Sequence, residues 1–277
     1  MLIRVGFKFD AMKSTEQKHL DLVRERFTRT VDPFADTVQS RGDVVARTAA
    51  LATAGYPDVS DALALDVACG PATFARAFAP IVGRVVGVDF TPAMLAKARR
   101  VVVEAGLANV EFVRGDGNAL PFADGAFDLA QCTYAFHHFP EPAKVLGEMA
   151  RVVREGGRVT VVDAIISERA DREWNDRIER LRDLSHARIL TDAGFQELFR
   201  AAGLRVIASE VHEREREFDD WMYGAGWAPG SPEYEEVRRQ VEASADGDRA
   251  GFGPHFHPQS GVLLVTQSAL VLVGEKA

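Results

Sequence analysis

From residue 60 to residue 166 short apolar runs alternate with longer amphipathic stretches, the pattern of successive β–α–β units and so of a largely parallel sheet. The apolar runs predict strands at 62–68, 84–88, 110–114, 127–132 and 158–166, with two more at 204–209 and 262–274. The stretches between them carry helix punctuation. Thr91 and Pro92 open one helix, Met94, Ala98, Val101, Val102 and Ala105 form its apolar stripe, and Gly106 ends it. Pro142 opens the next, which Gly156-Gly157 closes, and helices at 172–184 and 191–202 follow. Ahead of the first strand, Leu20, Val23, Phe27 and Val31 recur at helical spacing over 13–31 and predict a surface helix. A second helix, at 43–54, stops at Gly55-Tyr56-Pro57. Residues 212–261 have no clean period apart from a helix at 232–243.

These elements predict an α/β fold: a mostly parallel seven-stranded sheet with helices on both faces. The organisation expected is an N-terminal helical cap (1–58), a sheet domain (59–211 with 262–277) and an insertion (212–261) placed to act as a lid over a substrate. The first nine residues, with Arg4 and Lys8 among them, are too short and mixed for a signal-peptide core, and Met12 is an alternative start.

Composition narrows the function. Of 277 residues 47% are apolar and 27% charged, an ordinary globular balance. No apolar run approaches the roughly 18 residues of a membrane helix, and the longest, 262–273, is interrupted by Thr266, Gln267 and Ser268. A soluble chain without membrane insertion is expected. Thirty-three Lys and Arg against 41 Asp and Glu leave a net charge of −8, which opposes nucleic-acid binding. Two cysteines, Cys69 and Cys132, are too few for a disulfide framework and point to a reducing cytoplasm. His255-Phe256-His257 lacks further ligands at metal spacing, so no metal site is expected. The oligomeric state, a homodimer included, is left open.

In an open parallel sheet the ligand crevice lies beyond the carboxyl ends of the strands. Three successive ends carry an aspartate: Asp66 before the turn Ala68-Cys69-Gly70-Pro71-Ala72, Asp89 after Val-Gly-Val, and Asp116 in Arg-Gly-Asp-Gly-Asn. The turn offers Ala68, Gly70 and Thr73 where a dinucleotide fingerprint wants three glycines, and no Lys-Ser or Lys-Thr follows for a phosphate loop. An acid at Asp66 would also repel a diphosphate. The pattern favours a ligand with donors and positive charge but no phosphate, and S-adenosylmethionine fits. Asp89 stands at the distance where an acid accepts from ribose hydroxyls, and Phe90 beside it can cover an adenine face.

Five segments, 65–70, 88–94, 115–122, 126–128 and 153–158, together resemble the ordered motifs of class I S-adenosylmethionine-dependent methyltransferases. Among these the chain is similar to the type 11 group, which includes ubiquinone and menaquinone C-methyltransferases. The resemblance implies a Rossmann-like domain in which Asp66, Ala68 and Gly70 shape the methionine pocket and Asp89 holds the ribose. It also implies that Asp116 and Gly117, with Met94 and Asn118 beside them, meet the adenine. Gln131, Cys132 and Thr133 would line the methionine side, and Phe27 and Phe34 would close over the cofactor. Ala72 stands where a further glycine is common, Gly117 where alanine is usual and Glu155 where proline is usual. The Asn-Pro-Pro-Tyr motif of nucleobase and glutamine methyltransferases is absent after the fourth strand, where Gln131-Cys132-Thr133-Tyr134 stands.

Methyl transfer from a sulfonium needs alignment, dehydration and, for a weak nucleophile, a base. His138 is the first candidate base and His137 its neighbour, both in Ala-Phe-His-His-Phe after the fourth strand; His186 is next. Phe218, Trp221, Tyr223, Trp227, Phe252 and Phe256 would pack a small core of the insertion or line an apolar pocket. The charged run 210–220 reads as a solvated face. The expected reaction is methyl transfer to a small, lipophilic or aromatic acceptor at C, O or N. A nicotinamide-dependent oxidoreductase and a non-catalytic cofactor-binding module are the alternatives.

Overall fold

A computed structural model describes residues 14–39 and 42–277; the first nine residues and the Met12 start lie outside the described set. The N-terminal segment forms α1 (Ser14–Arg29), α2 (Val31–Gln39) and α3 (Gly42–Thr53). The sheet elements follow as β1 (Leu63–Val67), α4 (Thr73–Phe78), β2 (Arg84–Asp89), α5 (Pro92–Glu104), β3 (Val110–Arg114), β4 (Phe127–Thr133), a 3-10 turn at Phe136–His138, α6 (Pro142–Val152) and β5 (Val153–Ile165). Then come α7 (Arg172–Arg182), α8 (Asp192–Ala201), β6 (Leu204–Glu217), α9 (Phe218–Tyr223), α10 (Pro232–Ala243), β7 (His255–Phe256) and β8 (Leu263–Lys276).

The strands lie in the order β3-β2-β1-β4-β5-β8-β6, with β7 paired to β8. β1 to β5 are mutually parallel, and β8 runs antiparallel to both β5 and β6. Alternation of side chains divides the sheet's contacts between two cores. Leu65, Val67, Val86, Val88, Ala130 and Cys132 face α6 and α8 through Leu146, Met149, Phe195 and Phe199. Ala64, Val85 and Leu129 face the other way, onto α3, α4 and α5 through Ala52, Phe78 and Ala98. A third core, built on Ile178, Phe218, Trp221, Tyr234, Val237 and Phe252, fills the space under residues 218–252. The aromatic residues there chiefly pack one another, while Tyr223 and Phe256 stay exposed.

Four expectations needed correction. The surface helix breaks at Thr30 into α1 and α2. The six-residue α4 was not anticipated, because it is too short to show a period. The helix opened by Pro142 ends at Val152, and β5 starts at Val153, so Gly156 and Gly157 lie inside the strand. A Cβ on Gly157 would sit 2.6 Å from the Asp128 carbonyl, which is why glycine stands there. β6 runs on to Glu217, so the charged segment is largely a strand, with residues from Leu204 to Glu217 paired along β8.

Arg158 shows how the N-terminal helices are fixed to the sheet. Its buried guanidinium donates to the carbonyls of Ala52 (3.1 Å) and Ala54 (2.7 Å) and lies over the Tyr56 ring. A cation at a helix C-terminus satisfies carbonyls the helix leaves open.

Candidate functional site

The turn after β1 is wound tightly. Ala68, Gly70 and Ala72 all have positive φ, at 54°, 50° and 65°. The donors this turn presents are already engaged. Gly70 N–H donates to Asp89 Oδ2 (2.9 Å), and Ala75 N–H in the first turn of α4 donates to Asp66 Oδ2 (3.2 Å). Asp89 Oδ1 also accepts from Thr91 N–H (2.7 Å), and Asp116 Oδ1 accepts from the Asn118 backbone (2.9 Å) and amide side chain (3.0 Å). Carboxylates therefore occupy the donors that a dinucleotide fold offers to its diphosphate.

Burial pushes Asp66 up to about 7; hydrogen bonds from Gln131 and Ala75 oppose the rise, and the Asp89 charge adds to it. Burial likewise raises Asp89, against the Thr91 and Gly70 N–H groups.

Above these strand ends lies a cleft. Asp66, Ala68, Gly70, Asp89, Phe90, Met94, Asp116, Gly117, Asn118 and Thr133 all line it, and Leu20, Val23, Phe27 and Phe34 cover it. Phe27 and Phe34 meet edge to face at 5.2 Å. Among the described residues no lysine or arginine lines the cleft. Gln131 and Cys132 do not reach it, contrary to expectation. Gln131 is paired with Asp66 across β1 and β4, and its amide donates to that carboxylate from beneath while Oε1 has no hydrogen-bond partner among the described residues. Cys132 points into the core under α6. Both cysteines are free and buried.

Phe27, Phe34, Tyr134 and His138 line a second chamber as well, on the far side of their rings. Tyr134, at φ 50°, is the non-glycine residue bent into this partition. The chamber is walled by His137, His186, Glu179, Asp183, Arg26 and Arg182, with His212, Arg214, Arg216, Trp221 and Gln267 from the β6–β8 side. His186 belongs to this chamber and not to the cleft, held by Asp176 (Nε2 to Oδ1, 2.8 Å).

The three candidate histidines are held differently. His138 donates through Nδ1–H to the Ser185 carbonyl (3.0 Å) and meets Phe27 edge-on. Burial and the neighbouring His137 hold it well below the usual imidazole range, against Asp183. His137 donates through Nδ1–H to Asp163 Oδ1 (2.5 Å), and its backbone N–H reaches Oδ2 (3.1 Å). Burial works to lower His137, but the Asp163 carboxylate, helped by Glu179 and Asp183, raises it above the ordinary value.

Sequence reasoning missed Asp163, Asp183, Glu179, Tyr134 and Arg26. Asp163 had a readable signal, since it is another aspartate toward a strand's carboxyl end. His255 and His257 turn to separate partners, Glu215 and Ser260.

Residues 65–161 match the family model for a methyltransferase domain. The chain carries a methyltransferase domain. The uncharacterised methyltransferase YcgJ of Bacillus subtilis (strain 168) is 35% identical over 163 residues, which are 58% of this chain and 64% of that protein. A demethylmenaquinone methyltransferase of Thermus thermophilus is 48% identical over 79 residues, 28% of this chain and 36% of the relative. The chain thus spans less than two thirds of the curated relatives it matches. The crystal structure of YcgJ superposes with a TM-score of 0.74 at 28% identity, covering 83% of this chain and 98% of that one. The strands and helices around the methyltransferase domain therefore belong to a shared Rossmann-like fold. No described helix is long and apolar enough to cross a membrane.

Proposed function

We propose that the protein transfers a methyl group from S-adenosylmethionine, bound in the cleft, to a small acceptor held in the adjoining chamber. The observation that carries this reading is the cleft's chemistry: three carboxylates, no lysine or arginine among the described residues, and the turn's donors already occupied by Asp66 and Asp89. That surface suits a cationic nucleoside and repels a diphosphate, which sets aside the nicotinamide alternative.

When bound, the cofactor supplies an electrophilic methyl group on a positively charged sulfur. Asp89, at the end of β2, would accept from the ribose hydroxyls while keeping Gly70 and Thr91 in place. Asp116 and Asn118 would meet the adenine edge, with Phe90 and Met94 on its faces. Asp66 would offset the positive methionine end. Phe27 and Phe34 would exclude water from the reacting centre, and dehydration strengthens every electrostatic contact there. Gln131 would act from below, through its hydrogen bond to Asp66, whereas Cys132 packs in the core. Tyr134 and His138 would stand where the methyl faces the acceptor.

The acceptor reading rests on the chamber and on the relatives named demethylmenaquinone methyltransferase. Trp221, Tyr134, Phe27 and Phe34 suit an aromatic ring, while the arginines and histidines suit polar substituents more than a purely lipophilic molecule. His212, Arg214 and Arg216 of β6 and Trp221 wall the chamber, so the insertion would contribute its lid.

Calorimetric titration of the full chain with S-adenosylmethionine, S-adenosylhomocysteine and NADH tests this. Saturable binding of the first two, without NADH binding, is expected. Tighter binding of NADH would overturn the proposal. Release of S-adenosylhomocysteine with a panel of phenolic acceptors then separates transfer from cofactor binding alone.

A further inference from the structure

We infer that one buried water, held by Gln131, Thr160 and Asp66 in a cavity beneath the cleft, is part of the cofactor site and lets Asp66 release its proton when a cationic cofactor binds. The identity of the cation rests on the methyl-transfer reading; the water site does not.

Register places the three residues side by side. Asp66 on β1 pairs with Gln131 on β4, and Gln131 pairs with Thr160 on β5. Side chains alternate along a strand, so all three stand on the face that Ala64 and Leu129 turn toward α3 and α4. Asp66, Gln131 and Thr160 are 2%, 5% and 2% exposed. Polar groups this deeply buried are unfavourable unless each finds a hydrogen bond.

Gln131 is the member left incomplete. Its amide N–H donates to Asp66, which turns Oε1 away from the carboxyl, and Oε1 is buried with no hydrogen-bond partner among the described residues. Gln131, Asp66 and Thr160 line one cavity of about 10 Å³, room for a single water. The rest of its lining is apolar, with Ala52 of α3 and Phe78 of α4 among the residues that close it. A water there donates one hydrogen to Gln131 Oε1 and makes its other bonds to the Thr160 hydroxyl and the Asp66 carboxyl. Three partners are the usual complement of a buried water.

Among the described residues Asp66 alone lines both the cavity and the cleft. The cofactor therefore meets the carboxyl from above and the water meets it from below. A water serves both charge states because it donates as readily as it accepts. Toward the neutral acid it accepts the carboxyl O–H and donates to Gln131 and Thr160. Toward the carboxylate it donates to Asp66 and Gln131 and accepts from the Thr160 hydroxyl. Hydrogen bonds to the charged form favour ionisation.

The surroundings hold the acid neutral until a cation arrives. Facing Asp66 are Asp89 from β2, the Cys69 thiol from its own turn, Gln131 from β4 and the Ala75 N–H from α4, and Asp116 and His138 line the same cleft. No lysine or arginine among the described residues lines the cleft or the cavity. Burial pushes Asp66 up to about 7, and the Asp89 charge adds to the rise. On cofactor binding the carboxyl O–H bond breaks, its electron pair stays on oxygen, and the proton leaves through the cleft to a buffer base.

The test titrates the full chain with S-adenosylmethionine and S-adenosylhomocysteine by calorimetry from pH 6 to pH 8, in buffers of different ionisation enthalpy so that released protons are counted. The wild type should release close to one proton at pH 6, and fewer as pH rises through 7. Thr160→Val keeps the side chain's shape without its hydroxyl. Its affinity relative to the wild type should fall about tenfold at pH 6, the size of one pKa unit, and lie within about twofold at pH 8; this ratio cancels the cofactor's own titration. Near-equal affinity at pH 8 excludes a folding defect, and Thr160→Ser, which keeps the hydroxyl, should restore the wild-type profile. A crystal structure of the wild type should show one water within hydrogen-bond distance of Gln131 Oε1 and Thr160 Oγ1, lost in Thr160→Val. A wild-type structure without that water, or equal profiles in wild type and Thr160→Val, would overturn the inference. Failure of the wild type to bind either cofactor form at any pH would instead sink the methyl-transfer reading, and the density would still decide the water site.

Discussion

The cleft and the chamber share a wall of four side chains, yet they are built on opposite principles. The cleft takes its polar groups from the ends of consecutive strands, and backbone N–H groups of the adjacent turns hold its carboxylates. The chamber collects side chains from α1, α7, β5, β6 and β8, elements far apart in the chain, and holds its charges by ion pairs such as Arg26–Asp183 (2.9 Å). A site made of strand ends is specified locally. A site made of distant elements is specified by packing, so its shape can change while the fold stays the same.

Breaking the chamber's ion pair should give the largest effect. Arg26 is 7% exposed and Asp183 4%, and Arg26 also donates to the Gly224 carbonyl (2.9 Å) and to Thr30. Arg26→Met leaves a buried carboxylate without its partner and should cost about 3 to 5 kcal/mol, read from the urea midpoint, with cofactor affinity falling as α1 loosens. On the cleft side, Asp89→Ala removes a buried acceptor and should weaken S-adenosylmethionine by about 1 to 3 kcal/mol in calorimetry. An unchanged dissociation constant would remove Asp89 from the binding site.

The third prediction concerns pH. Asp66 is raised to about 7, so the empty protein carries a stability contribution that is fully present at low pH and is lost as pH rises through 7. A cationic ligand prefers the ionised carboxylate, so S-adenosylmethionine affinity should rise with pH over the same window. Asp66→Asn should flatten both profiles. The smallest effect belongs to Ala72, left-handed and fully buried. Replacing it by glycine relieves about 1 kcal/mol of backbone strain and forfeits about 0.8 kcal/mol for the buried methyl. The two nearly cancel, and a midpoint shift well above that difference would contradict this account.

The same contrast explains what the sequence made legible. The strand order of apolar runs and the aspartates at 66, 89 and 116 are local patterns, and the structure gathers all three on one cleft. Met94 and Asn118 join them there, as do Phe27 and Phe34, whose placement came from the family resemblance. Gln131 and Cys132 failed because pairing with β1 and alternation along β4, which a single strand's sequence does not reveal, turn them beneath the cleft. The pairing of Asp163 with His137 spans 26 residues, and that of Arg26 with Asp183 spans 157; no local spacing reports either. The α1–α2 break at Thr30 and the length of β6 were hidden for a related reason, since charged residues on a strand look like any solvated segment until a neighbour is known.

Phe27 touches Phe34 on one side and His138 on the other, so its ring is common property of both compartments. Anyone reshaping the molecule to accept a bulkier reactant should leave that ring untouched. Trimming the opposite side, at Gln267, would enlarge one room without opening the door to the other.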